Sequence, residues 1–105
     1  MTTSTPTNAQ IIANALHRAA SASTEPIKAE DLLHPRASVT RKFLGARLCG
    51  LTLHWLNKEQ KFSMAYLAKA CGMNESTAAS RIATGQQLKN REGWDRIYRA
   101  ISQQL

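Results

Sequence analysis

Small polar and basic side chains that could contact DNA stand together at the start of one segment of this sequence. Asparagine is a favoured residue at the start of a helix, and its position here places the neighbouring side chains on the first helical turns. A DNA recognition helix presents this N-terminal end to base edges in the major groove. The sequence therefore predicts a helix whose first turns face DNA, and the residues concerned are Asn74, Ser76, Thr77, Ser80 and Arg81.

The segment before these residues completes the pattern of a helix-turn-helix. Leu67, Ala68 and Cys71 fall on one face of a short first helix, and small Ala68 lets the second helix cross it closely. Gly72 follows at once, and glycine readily adopts the positive φ that ends a helix in a left-handed turn. The alternative interpretation is an ordinary helical hairpin inside a core, which uses the same glycine turn.

The formal charge of the 105-residue chain is +7, and it is concentrated in the part that holds the helix-turn-helix. Residues 1–33 contain 2 Lys/Arg and 3 Asp/Glu, a net charge of −1, whereas residues 34–105 contain 12 Lys/Arg and 4 Asp/Glu, a net charge of +8. A basic domain with few aromatic residues suits the phosphate backbone of a duplex better than stacked single-stranded bases. Solubility alone would explain an excess of basic residues, but not their segregation.

The sequence carries no signal for several other classes of protein. No stretch approaches the roughly 20 apolar residues of a membrane span, and the N-terminus lacks the basic and apolar regions of a signal peptide. Cys49 and Cys71 have no metal-ligand spacing, so we expect buried thiols in a reducing cytoplasm. No catalytic Ser/His/Asp arrangement or phosphate-binding glycine loop occurs, and we therefore expect neither an enzyme nor a bound metal or cofactor.

Hydrophobic periodicity predicts an all-α domain of five to six helices over residues 9–105, after a disordered tail over residues 1–8. Residues 9–22 are expected to form an amphipathic helix, and residues 29–33 a short one. Residues 38–57 carry two adjacent apolar stripes, which indicate a central helix with a wide buried face. Its glycines, Gly45 and Gly50, each cost about 1 kcal/mol in a helix interior relative to alanine, so we expect them to allow close helix crossings or to break the helix.

Two further helices complete the expected fold. The recognition helix is predicted over residues 75–88, with an inward face formed by Ala78, Ile82 and Gly85. A last amphipathic helix is expected to dock on the core, although its apolar stripe could instead contact a partner or a second copy of the chain. The stripe consists of Trp94, Ile97, Tyr98, Ile101 and Leu105, and Trp94 and Trp55 are interpreted as core residues.

Three stretches in this order resemble the C-terminal DNA-binding domain of DnaA, the bacterial replication initiator, whose fold is related to that of the Trp repressor. The first is IIANALHRAA followed by IKAEDLLHPR, and the second is the long apolar helix leading into FSMAYLAKACG. The third is NESTA, at the position of the family's DHTTV signature. The likeness covers residues 9–105, and it implies a Trp-repressor-like fold that binds double-stranded DNA in a sequence-specific manner.

The resemblance also assigns contacts to matching positions. In the family, the opening of the recognition helix contacts bases, and here that opening consists of Asn74, Glu75, Ser76 and Thr77. Asparagine can bond adenine at two atoms, glutamate can accept from cytosine N4, and serine or threonine can contact bases or phosphate. The family also places an arginine of a basic loop in the minor groove. The candidates for backbone or minor-groove contact are Arg36, Arg41, Lys42, Ser80, Arg81 and, if the long helix begins later than expected, Arg47.

Departures from the family pattern limit what the resemblance implies. Glu75 stands where the family has histidine, and Met73 replaces an arginine. A carboxylate is repelled by phosphates unless it meets a base donor, so the DNA target should differ from that of the initiator. No G-x-x-x-x-G-K-[ST] motif occurs, and the sequence thus predicts a stand-alone DNA-binding domain without an ATPase module.

These features predict a bacterial or phage transcription regulator of the cytoplasm, associated with the nucleoid. Free-standing domains of this kind resemble phage-type regulators and the DnaA-like activators of gene transfer agents, the GafA/GafY type. A single helix-turn-helix contacts few base pairs, so we expect a homodimer or a partner such as RNA polymerase or a co-activator protein. Two alternatives remain open: a replication-origin accessory protein that competes at initiator-type sites, and a protein-binding adaptor that kept the fold without binding DNA.

Overall fold

The computed structural model describes residues 7–23, 27–28, 32 and 39–102, without the side chains of residues 39–43. These residues form five α-helices and no strand, in agreement with the predicted all-α class: α1 (Asn8–Ala22), α2 (Val39–Lys58), α3 (Met64–Ala70), α4 (Glu75–Leu88) and α5 (Trp94–Ser102). None of these described helices is both long enough and apolar enough to cross a membrane. The short helix predicted over residues 29–33 lies outside the described residues, except for fully buried Leu32.

The first helix begins at Asn8, inside the segment that the sequence assigns to a tail, because Thr7 caps it. The Thr7 hydroxyl accepts a hydrogen bond from the Gln10 backbone N–H at 3.2 Å, and the Gln10 side chain accepts one from the Thr7 N–H at 2.9 Å. This reciprocal pair is a capping box, which satisfies two donors that the helix itself leaves free. The rest of the predicted tail, residues 1–6, lies outside the described residues.

The second helix is the centre of the core. Every residue from 48 to 56 is buried, so α2 is covered on all sides along this stretch, beyond the wide face that the two stripes predict. Two polar side chains are buried with it. The Thr52 hydroxyl donates to the Leu48 carbonyl at 2.8 Å, whereas neither ring nitrogen of His54 has a hydrogen-bond partner.

A close approach of two backbones sets the packing of α4 on α2, the most extensive helix pair of the described fold. A Cβ atom added to Gly50 would lie 2.5 Å from the Arg81 carbonyl oxygen and 3.2 Å from the Gly85 nitrogen. A Cβ atom added to Gly85 would overlap the Gly50 carbonyl. The predicted close crossing at Gly50 is therefore confirmed, and the helix continues through this residue without a break.

The last helix docks on the core, as its apolar stripe predicts, and Leu105 of that stripe lies outside the described residues. Ile97 and Ile101 are buried, and a polar contact adds to this packing. The Arg18 side chain of α1 donates from Nε to the Ile101 carbonyl at 2.9 Å, while its guanidinium lies 5.5 Å from the centre of the Trp55 ring. The first and last helices are thereby joined to each other and to α2. Trp55 is a core residue, as expected, and Trp94 is half-buried against the core.

Candidate nucleic-acid interface

Helices α3 and α4 form two helices joined by a tight turn, as the sequence predicts. The Ser63 side chain caps the start of α3 by accepting from the Tyr66 N–H at 3.1 Å. At the other end, Gly72 has φ of 69°, and two hydrogen bonds close the turn: Gly72 N–H to the Lys69 carbonyl at 3.3 Å and Met73 N–H to the Ala68 carbonyl at 2.9 Å. This pair is a Schellman motif. The positive φ of Gly72 confirms the predicted αL turn at this position. Glycine adopts such a φ without strain.

The apolar face of α3 is directed inward. Leu67, Ala68 and Cys71 are all buried, which confirms the narrow stripe inferred from their spacing. By contrast, Met64 and Tyr66 of the same helix are 36% and 40% exposed. The first helix of the pair therefore supports α4 with one face and leaves large side chains on the other face at the surface.

Asn74 starts α4, and its side-chain oxygen is already engaged there. Oδ1 accepts from the Thr77 N–H at 2.8 Å and from the Ser76 hydroxyl at 2.9 Å. A two-point bond to adenine needs this same oxygen together with the amide nitrogen. Such a bond would break the helix cap, so the geometry leaves Asn74 free to donate from Nδ2 only.

The remaining residues at the opening of α4 face outward. Glu75 and Ser76 are exposed, and Thr77 is half-buried. Glu75 lies in the first turn, where a carboxylate interacts favourably with the positive end of the helix dipole. The structure thus brings the four predicted base-contacting positions together on one exposed turn.

A cleft of about 440 Å³ lies between α2 and α4, beside this turn. Its described lining consists of hydroxyls, small side chains and two arginines, and contains no carboxylate: Ala46, Arg47, Ser76, Thr77, Ser80, Arg81 and Thr84. The residues of α4 recur at i, i+1, i+4, i+5 and i+8, so they form one stripe along the helix. The glycine crossing at Gly50 and Gly85 holds this stripe against α2.

The predicted backbone-contacting residues fall into two groups. Arg47, Ser80 and Arg81 line the cleft together, whereas Arg36 lies outside the described residues. Arg41 and Lys42 belong to α2, but their side chains are not described.

Three of the four candidates for the role of the family's basic loop, Arg41, Lys42 and Arg47, are helical residues rather than loop residues. They lie within α2, which begins at Val39 and continues past both glycines. Since neither glycine breaks the helix, the condition under which Arg47 would belong to a loop is not met. Any contact that these three residues make with DNA would come from the side of a helix.

Two lining residues, Ala46 and Thr84, are not among the residues predicted from the sequence. Thr84 follows Thr77 and Ser80 at i+7 and i+4, so helical spacing alone could have placed it on the same stripe. Its hydroxyl donates to the Ser80 carbonyl at 3.0 Å. Ala46 is recognisable only once α2 and α4 are known to cross, because nothing in its local sequence distinguishes it from a core alanine.

The basic residues near the C-terminal end of the chain do not join this cleft. Arg91, Arg96 and Arg99 are exposed, and Arg99 lies 3.8 Å from Asp95 in a surface ion pair one helical turn apart. An exposed pair of this kind contributes about 0.3–0.5 kcal/mol. These arginines form a solvated face of the described structure.

No protein-family model matches the sequence, and neither a curated protein nor a solved structure shows significant similarity to it. The likeness to the DnaA C-terminal domain therefore depends on the motifs quoted above.

Proposed function

We propose that this protein binds double-stranded DNA in a sequence-specific manner and regulates transcription, with α3 and α4 as its helix-turn-helix. One observation carries the proposal. The first turns of α4 are exposed, carry hydroxyl and amide groups, and lie beside a carboxylate-free cleft that holds Arg47 and Arg81. A recognition helix needs this combination, because side chains at its N-terminal end contact bases while basic neighbours contact phosphates.

The arrangement of the described helices supports the finer fold proposal, a DnaA C-terminal or Trp-repressor-like domain. A long buried helix precedes a short helix, a Schellman turn and a second helix with a polar outer face. The sequence motifs that resemble the family occupy the matching elements: FSMAYLAKACG spans α3, and NESTA starts α4. In such a domain, α2 and α3 hold α4 at the surface of the fold.

The chemistry at the start of α4 suggests which bases it contacts. Glu75 is exposed and can accept a hydrogen bond from the amino group of cytosine. Ser76 is also exposed, but its hydroxyl hydrogen is directed to Asn74, so it acts on a base as an acceptor. Two acceptors side by side favour base edges that donate, which in the major groove are the amino groups of cytosine and adenine.

The first experiment is a pull-down of fragmented genomic DNA by the purified protein at physiological salt, followed by sequencing. Peaks that share one motif at a few promoters would support a transcription regulator. Peaks at the replication origin would favour the origin accessory protein instead. A flat profile together with weak binding to all duplexes would refute sequence-specific recognition.

A second candidate function is a protein-binding adaptor, and one observation favours it. An apolar groove of about 330 Å³ lies between α1 and α3, next to exposed Tyr66, and is lined by Ala9, Ile12, Ala13, Leu16, Tyr66, Ala70 and Cys71. Salt dependence separates the candidates. Binding to phosphates weakens with a log–log slope of about −0.9 per contact, whereas docking on an apolar groove shows little dependence on salt.

A further inference from the structure

The charge of Arg81 has no counter-charge in the described structure. Two of its guanidinium nitrogens, Nε and Nη1, are buried and have no hydrogen-bond partner. Within the described residues, Arg81 forms no ion pair either. Arg81 as a whole is half-buried. A guanidinium held partly out of water without a counter-charge is stabilised by an anion that binds next to it.

One polar neighbour, a thiol, does not compensate this charge. The Cys49 thiol lies close to Arg81, and both the positive charge and a side-chain hydrogen bond between the two residues act to lower the pKa of the thiol. Burial has the larger effect and raises the pKa of Cys49 to about 12. At neutral pH the thiol is therefore uncharged, and Arg81 remains an uncompensated cation at the edge of the cleft.

The cleft supplies what an anion needs. Arg47 lines the opposite wall on α2, is exposed, and has no ion-pair partner within the described residues. The hydroxyls of Thr77 and Ser80 line the cleft and form no hydrogen bond inside the described structure, so both can donate to a ligand. Two arginines and two free hydroxyls around one opening suit a tetrahedral anion, which offers acceptor oxygens in several directions.

We infer that the cleft between α2 and α4 is a phosphate-binding site, in which Arg47 and Arg81 hold one phosphate group between them. The phosphodiester of a DNA backbone at the edge of the major groove carries this chemistry, and so does free inorganic phosphate. The assignment to DNA depends on the proposed function, whereas binding of the phosphate group itself does not.

The site would have a specific consequence for recognition. Phosphate contacts fix the register of a protein on a duplex, while base contacts provide specificity. A phosphate held next to Thr77 and Ser80 would fix the rotation of α4 about its axis and direct Glu75 and Ser76 toward the bases. Within the stripe that lines the cleft, Thr77, Ser80 and Arg81 thereby take the backbone-positioning role. Glu75 and Ser76, at the start of the helix, take the base-contacting role.

The experiment has two arms and uses the full chain. In the first arm, inorganic phosphate replaces chloride stepwise at constant ionic strength. NMR follows the chemical shifts of the Arg81 Nε–H and of the backbone amides of residues 76–84. Saturable shifts are expected, and they should be lost in Arg47→Gln. Arg47 is exposed, so Arg47→Gln should keep the fold. Arg81→Gln is titrated in the same way if thermal melting shows that it folds.

In the second arm, a bound duplex carries a single uncharged methylphosphonate at each backbone position in turn. At one backbone position, the methylphosphonate should weaken DNA binding by the wild-type protein about tenfold or more. The same methylphosphonate should have little further effect on DNA binding by Arg47→Gln. Arg96→Gln, an exposed arginine of α5 outside the cleft, is the matched control and should behave as wild type.

The outcomes distinguish this inference from the proposed function. Phosphate shifts without any effect of the methylphosphonates would support an anion site that takes free phosphate, and would count against DNA as its source. A methylphosphonate effect that disappears in Arg47→Gln would support the backbone phosphodiester, whether or not inorganic phosphate binds. If neither probe depends on Arg47 or Arg81, the inference is wrong, even if the pull-down finds a sequence motif.

Discussion

Replacement of Gly50 by alanine should destabilise the fold, although alanine is the better helix former. The substitution gains about 1 kcal/mol of helix propensity. The new methyl carbon would lie 2.5 Å from the Arg81 carbonyl and 3.2 Å from the Gly85 nitrogen, and both are backbone atoms of a helix that cannot rotate away. Overpacking costs about 1–3 kcal/mol where neighbours can shift, and we expect the upper end here.

The expected net loss of unfolding free energy is therefore about 2 kcal/mol. For a domain of this size, that corresponds to a decrease in Tm of roughly 8–16 °C. Thermal unfolding followed by circular dichroism measures it directly. The matched control is Gln86→Ala, an exposed position of α4 that should change stability by no more than about 0.5 kcal/mol.

The sign of the change tests the argument. An unchanged or raised Tm in Gly50→Ala would mean that helix propensity prevails and that α2 and α4 do not approach as closely as described. If Tm falls, DNA affinity at a temperature where the variant is folded should also fall, because separation of the helices moves Arg47 away from Arg81.

Other residues give further predictions. Asn74→Ala should lower the free energy of unfolding by about 1 kcal/mol, measured by urea denaturation, while Asn74→Asp should keep the cap and most of that stability; equal stability of the two variants would contradict the capping geometry. Thr77→Val should keep the fold and weaken DNA binding by about 1 kcal/mol, and an unchanged Kd would remove its hydroxyl from the interface. Arg47→Gln should reduce the magnitude of the log–log salt slope by about 0.9, and a slope equal to that of wild type would exclude a phosphate contact. Burial and nearby lysines lower the pKa of His54, so its contribution to stability should be constant above about pH 6.5 and decline at lower pH by up to about 1.4 kcal/mol per pH unit; the pH dependence of urea denaturation measures this decline, and His54→Gln should reduce it.

The local features of the helix-turn-helix could be predicted from the sequence because they depend on neighbouring residues. Gly72 follows the apolar face of α3 directly, and a Schellman turn at a helix end needs a residue in the left-handed backbone conformation, which glycine adopts most readily. Three residues after Asn74, the backbone N–H of Thr77 has no partner within the helix, and it donates to the capping side chain of Asn74. The predicted bounds of α4 agree with the structure for the same reason.

The features that depend on tertiary packing could not be predicted. The sequence places Arg81 on α4, but only the crossing of α2 and α4 brings it beside Arg47 and the Cys49 thiol. Likewise, a glycine in a long apolar helix is compatible with a break or a close crossing, and the choice at Gly50 depends on a residue 35 positions later, Gly85. The resemblance suggests a basic loop in this region, whereas helical periodicity already extends α2 over Arg41 and Lys42, and both residues lie in that helix.

The contact between the first and last helices has a consequence for synthesis on the ribosome. Arg18 donates to a carbonyl 83 residues further along the chain, and α1 covers its apolar stripe partly with α5. When α1 leaves the ribosome, the residues that complete its packing have not yet been made. Contacts of such sequence separation form late, since the loop between them has to close first. The apolar stripe of α1 should therefore stay accessible to chaperones until the region of Ile101 has emerged from the ribosome.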